Sequence, residues 1–172
     1  VAPQKYASDV EYANNPLSRK LKEVAQIHLA GLGTRVFYCD QGSYDSHASQ
    51  MGAHHGLLKD MSGAVEDFFN DLRQHDASDN VIMFMFSEFG RRVHDNGSGT
   101  DHGAGGVAFV IGDAVKGGQY SEYPSTKPED LQQGDLVPDL DFRSVYSTIL
   151  EDWLGLDAKP IVGGAFEKPK FL

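Results

Sequence analysis

The chain has little that would cross-link it, anchor it or draw it to nucleic acid. One cysteine, Cys39, occurs in 172 residues, so no internal disulfide can form and the redox compartment leaves no mark. Cys39 sits in an apolar run, where a small buried hydrophobe is its plainest role. No apolar stretch approaches the roughly 20 residues that span a bilayer. Positive charge is scarce: 15 Lys and Arg stand against 25 Asp and Glu, a net charge of -10. That balance argues against a general nucleic-acid or anionic-membrane surface, because long-range repulsion from phosphates would have to be overcome locally. A small anionic ester remains possible as substrate, since a bound cation inverts the local field. There is no P-loop, no G-x-G-x-x-G after a strand, no G-x-S-x-G elbow and no cysteine-based metal spacing. The first residue is Val1, and no charged-then-apolar leader precedes the patterned part; the expectation is a processed start or a fragment.

What is present is an ordinary globular composition, 40% hydrophobic and 23% charged, of a size for one compact domain over residues 1–172. Asn15-Pro16 reads as an N-cap with proline in the first turn. Leu17, Leu21, Val24, Ala25 and His28 then follow helical spacing until Gly31 and Gly33. Residues 35–39 (RVFYC) read as a buried strand. Leu57, Leu58, Met61, Val65, Phe68, Phe69 and Leu72 make the apolar face of a second helix, which His54 and His55 begin. Residues 81–86 (VIMFMF) are apolar at every position, as in a central strand covered on both faces. Residues 107–111 (VAFVI) read as a third strand, residues 112–138 as loop. Asp141 caps a last helix carrying Phe142, Val145, Tyr146, Ile149, Trp153 and Leu154, closed by Gly155. Strands alternating with helices predict a layered α/β/α fold with a mainly parallel sheet.

In such sheets ligands bind beyond the carboxyl ends of the strands, and three polar segments fall near those ends. They hold Asp45 and His47 (YDSH), Ser87, Glu88 and Arg91 (SEFGRR), and Asp101 and His102 (GTDHG). Asp45, His47, Glu88, Asp101 and His102 form an oxygen and nitrogen donor set without thiolate, suited to a divalent metal: Zn, Mn, Mg or Ca. Each has a plainer role. Asp45 can cap a loop or helix, His47 can be a solvated loop histidine, Glu88 and Arg91 an ion pair, and Asp101-His102 a turn. His54 or His55 can stand behind the rim or simply face solvent. The recurrence at successive strand boundaries is what points to metal.

The runs YDSHASQ, HHGLLKDMSGAVEDFFNDL, SEFGRRVHDNGSGTDHGAGGVAFVIGDAVKGG and DFRSVYSTILEDWLG resemble the DUF1501 family, from about residue 16 to the end. That resemblance implies bacterial, exported proteins, periplasmic or extracellular, related in fold to alkaline phosphatases and sulfatases. It implies further that this chain is the carboxy-terminal part of a larger, alkaline phosphatase-like domain, whose amino-terminal portion would be its partner. By that likeness Asp45 and His47 match an Asp/His pair after a core strand. His102 matches a later histidine before a strand. Ser87-Glu88-Phe89-Gly90 stands where relatives carry Asp-His-Gly. The expected activity is metal-dependent hydrolysis of phosphate or sulfate esters, with Glu88 as ligand or base and Arg91 as anion contact. The alternative is a non-catalytic exported metal-binding or surface-assembly module.

Overall fold

Asn15 starts the first helix as its sequence requires. In the computed structural model, which describes residues 6–172, its backbone is extended and its side chain accepts the Ser18 N–H at 2.8 Å. Pro16, lacking an N–H, fills the first turn of α1 (Pro16–Leu29) without loss. Residue contacts divide the chain into two compact units, Val1–Val81 and Ile82–Leu172.

In the first unit, α1 buries Leu17, Leu21 and Ala25, one stripe at four-residue spacing. The stripe meets α2 (Gln50–Gln74), which buries Ala64, Phe68, Phe69 and Leu72 on its carboxy-terminal half. Each fully buried Phe or Leu stabilises this pair by about 1.5–3 kcal/mol relative to exposure. The helix begins seven residues before Leu57, the first apolar position of the expected face, and its opening turns are solvated, with Met51 and Leu58 exposed.

Residues 35–39 do not form the expected buried strand. They have no regular structure, and Val36 and Tyr38 are 73% and 80% exposed. Strand preference is a preference for a pleated surface shared with neighbours, and the first unit has no strand among its described residues to pair with. Lys20 ties this segment back to α1, with its ammonium 2.6 Å from the Asp40 carboxylate.

In the second unit, β1 (Met83–Met85) and β4 (Phe109–Ile111) pair antiparallel, Phe84 opposite Val110. Between them lies a second antiparallel pair, β2 (Gly90–Asp95) and β3 (Thr100–Gly103), with Arg91 opposite His102. A Cβ on Gly90 would overlap the Gly105 carbonyl oxygen, so only glycine fits at the start of this hairpin. After a long irregular stretch, Asp141 caps α3 (Phe142–Thr148) by accepting the Arg143 N–H at 2.9 Å. A wider turn over Ile149–Trp153 continues it, Gly155 ends it at φ +67°, and α4 (Lys159–Val162) follows. Tyr146 of α3 stands edge-on to Phe84 of β1, ring centres 5.3 Å apart. Phe171, Val145 and Ala158 are buried, and Thr148 Oγ1 donates to the Ser144 or Pro169 carbonyl oxygen.

The layered, mainly parallel, alkaline phosphatase-like sheet is therefore not what forms. Among the described residues there are four α-helices and two two-stranded antiparallel sheets. Parallel pairing needs a crossover, usually a helix, between the paired strands. The sequence between β1 and β4 folds instead as a hairpin. The all-apolar run at 81–86 is not a central strand either: β1 keeps three residues of it, half-buried, and Phe86 is exposed. No helix of the described residues is long and apolar enough to cross a membrane.

Candidate functional site

Asp45 and His47 stand on the loop that joins α1 to α2, and neighbouring side chains moor that loop to α2. Gln41 Nε2 donates to the Leu57 carbonyl at 3.1 Å, and Tyr44 donates its hydroxyl to Gln41 Oε1 at 3.0 Å. The Tyr44 ring lies 5.8 Å from that of His54, and Ser46 Oγ is 3.5 Å from His54 Nε2. Gln50 Nε2 donates to the Ser46 carbonyl at 2.6 Å. Burial, and secondarily the Asp60 charge, push the Tyr44 phenol above its ordinary pKa. Tyr44 and Ser46 thus turn toward the helix, while the alternate residues Asp45 and His47 are exposed. Asp45 Oδ1 and His47 Nε2 are 3.4 Å apart.

That separation is informative. Two donors at about 2.0–2.2 Å from one tetrahedral ion lie about 3.3–3.6 Å from each other. A carboxylate oxygen and an imidazole nitrogen at 3.4 Å fit one edge of such a polyhedron, and the donor types suit zinc or manganese. The same spacing also suits a direct carboxylate–imidazolium contact, so proton and metal would compete for this pair.

In the second unit, the β2–β3 hairpin carries the other expected residues. His102 lies flat on Phe89, ring centres 3.8 Å apart at 6°. The Arg91 guanidinium sits 4.9 Å from the centre of the same Phe89 ring and donates to the Thr100 carbonyl at 2.8 Å. Arg92 Nε donates to the His102 carbonyl at 3.3 Å. The hairpin tip is closed by Asn96, whose Oδ1 accepts the Ser98 and Gly99 N–H groups and whose Nδ2 donates to Asp101 Oδ1 at 2.9 Å. Successive strand residues face opposite ways, so Asp101 and His102 do not present their side chains on one face of β3. Glu88 is exposed one residue before Phe89.

Within its unit, then, the structure joins Asp45 to His47. In the other it joins His102 to Phe89 and Arg91, and commits Asp101 to the hairpin tip. The supporting groups Gln41, Tyr44 and Phe89 were not legible as such: a glutamine and two aromatics beside polar motifs carry no spacing signal. The matching pattern of a known family covers the chain almost throughout. The DUF1501 family, described as a protein of unknown function, matches residues 4–169. No curated protein matches the chain, and no solved structure does. With nearly every residue inside the family's pattern, this chain belongs to the DUF1501 family.

Proposed function

We propose that this chain carries a divalent-cation site with Asp45 and His47 as its first two ligands, serving hydrolysis of phosphate or sulfate esters. The observation that carries the reading is the 3.4 Å separation of Asp45 Oδ1 and His47 Nε2 on a loop moored from behind. Asp45 and His47 would hold the ion, which when bound would supply polarisation of an ester oxygen and stabilisation of the charge developing there. This chain's own part is to fix the donors: Gln41 and Tyr44 hold the loop that carries them. Glu88 remains the candidate base or further ligand, and Asp101 the weakest candidate ligand, because its carboxylate already accepts from Asn96. Export to the periplasm or beyond belongs to the same proposal.

One observation favours the second reading, a non-catalytic metal-binding or surface-assembly module. The Arg91 guanidinium, the expected anion contact, is taken up by Phe89 and the Thr100 carbonyl inside its own hairpin. The test is metal content after dialysis, measured by plasma mass spectrometry on wild type, Asp45→Ala, His47→Ala and His102→Ala. Metal near stoichiometry in wild type, lost in Asp45→Ala and His47→Ala, supports the site, and turnover of aryl phosphates or sulfates by the loaded protein selects the hydrolase. Wild type that takes up no zinc, manganese, magnesium or calcium sinks the hydrolase and leaves a surface-assembly module; retention by His102→Ala removes His102 as a ligand.

A further inference from the structure

The carboxy-terminal end of α2 holds a group of polar side chains that the metal reading does not use. Residues 6–13 run along this end and are fastened to it at several points. Tyr6 and Tyr12 both donate their hydroxyls to Asp71 Oδ2, at 2.6 Å and 2.8 Å. Asp71 is fully buried. The Asp9 N–H donates to Gln74 Oε1 at 3.3 Å, and the Ala13 N–H to Asp67 Oδ2 at 3.3 Å. His75, the residue that ends α2, lies stacked against Tyr6 at 6.1 Å.

The two ring nitrogens of His75 define its protonation state. Nδ1 is 2.8 Å from the Asp71 carbonyl oxygen, and Nε2 is 2.8 Å from the Ala7 carbonyl oxygen. A carbonyl oxygen can only accept. A neutral imidazole has one N–H, so one of these contacts would set a lone pair against a lone pair. Only the imidazolium donates to both. Its charge also sits at the negative end of the α2 dipole, where a cation is favoured, with the Asp71 carboxylate Oδ1 3.5 Å away.

We propose that His75 is a pH-sensitive latch: as the imidazolium it bridges the end of α2 to the segment 6–13, and on losing its proton it loosens that segment, which Tyr6 and Tyr12 still tie to Asp71. The groups facing it are Asp71 from α2 and Tyr6 and Asp9 from the segment, with Tyr12 reaching the same carboxylate. The Asp71 carbonyl above all, then the Ala7 carbonyl and the Asp71 charge, hold the imidazole above its ordinary pKa against the opposing effect of burial. The latch is therefore closed below the ordinary histidine range of about 6.5 and opens as pH rises through the higher folded value. At that point one charge-assisted bond is lost and one carbonyl is left facing an unprotonated nitrogen.

The experiment is nitrogen NMR of His75 in the full chain from about pH 5 to about pH 9, paired with amide exchange of residues 6–13 corrected for the intrinsic base-catalysed rate. Similar shifts for both ring nitrogens at neutral pH mark the imidazolium. The expected companion result is a fall in protection of residues 6–13, on the order of tenfold, as those shifts diverge at higher pH. His75→Gln, whose amide has no proton to lose over this range, should show protection with no such transition, while residues 64–72 stay protected. A neutral tautomer already present at about pH 6.5, or wild-type protection that tracks His75→Gln throughout, overturns the latch. Should His75→Gln fail to keep residues 64–72 protected, the wild-type nitrogen titration decides alone.

Discussion

Single residues speak most clearly where one atom meets one partner. Asn15 is such a case, since its side chain replaces the missing helical partner of the Ser18 N–H. Asn15→Ala should cost about 1 kcal/mol, within the usual range for a lost N-cap. Urea unfolding followed at α1 tests it, and a shift under a few tenths would mean water caps the helix as well. Both caps, Asn15 and Asp141, were legible because capping depends on near neighbours alone. The Asp45 and His47 pair was legible for a similar reason, being two residues apart. His102 lying flat on Phe89 was not, because nothing in SEFGRR and GTDHG says which rings will meet. Phe89→Leu removes the aromatic face, and the His102 ring protons should move downfield in the proton spectrum as the ring current vanishes. Unmoved resonances would mean that the stack does not persist in solution. Such a pair contributes about 0.5–1.5 kcal/mol beyond its burial, enough to favour one orientation of the His102 ring.

At the level of elements, register and close approach decide what residue type cannot. The β2–β3 hairpin exists because Gly90 and Gly103 let backbone approach backbone and, at Gly103, the Asp135 side chain approach it. A Cβ on Gly103 would lie 2.5 Å from Asp135 Oδ1 and 2.7 Å from the Arg91 carbonyl carbon. Gly90→Ala should therefore displace residue 105, break the 3.2 Å bond from the Arg91 N–H to the Gly105 carbonyl, and destabilise the hairpin by about 1–3 kcal/mol. Exchange of the Arg91 amide is the direct reading, and exchange as slow as in wild type would refute the clash. This hairpin also explains why the sheet topology was misread. Glycine and polar residues from 87 to 106 look like a loop between two strands of a parallel sheet, yet they carry their own strand pair. Of the apolar runs read as strands, 81–86 and 107–111 are β only at 83–85 and 109–111, and 35–39 is not β at all, for want of any strand among the described residues of the first unit to share its hydrogen bonds.

For the molecule as a whole, the shifted groups distribute unequally between the two units, and alkali should expose the difference. The first unit holds His75, raised above its ordinary value, and Tyr6, pushed up to about 12 mainly by burial and then by the Asp71 carboxylate. Tyr12 is raised further still by the same causes, and Tyr44 is raised by burial. A group whose folded pKa exceeds its unfolded one adds stability that is complete below the unfolded pKa and lost as pH climbs through the folded one. For His75 that loss begins above about 6.5, and for the tyrosines above about 10, ending for Tyr6 near its folded value of about 12. In the second unit the shifted groups are Asp141, lowered by Arg143, with Arg143 itself raised, and Lys168, raised by Asp152 and Glu151. All three lie at the surface, where water screens the pairing and little stability is at stake. Raising the pH should thus strip exchange protection from residues 64–72 of α2 before residues 144–148 of α3. In the ultraviolet phenolate titration, three of the seven tyrosines, Tyr6, Tyr12 and Tyr44, should ionise late until the first unit opens. Loss of protection in α3 first, or seven phenols titrating together near about pH 10, would show that Asp71 and its two tyrosines do not hold the first unit as their geometry requires.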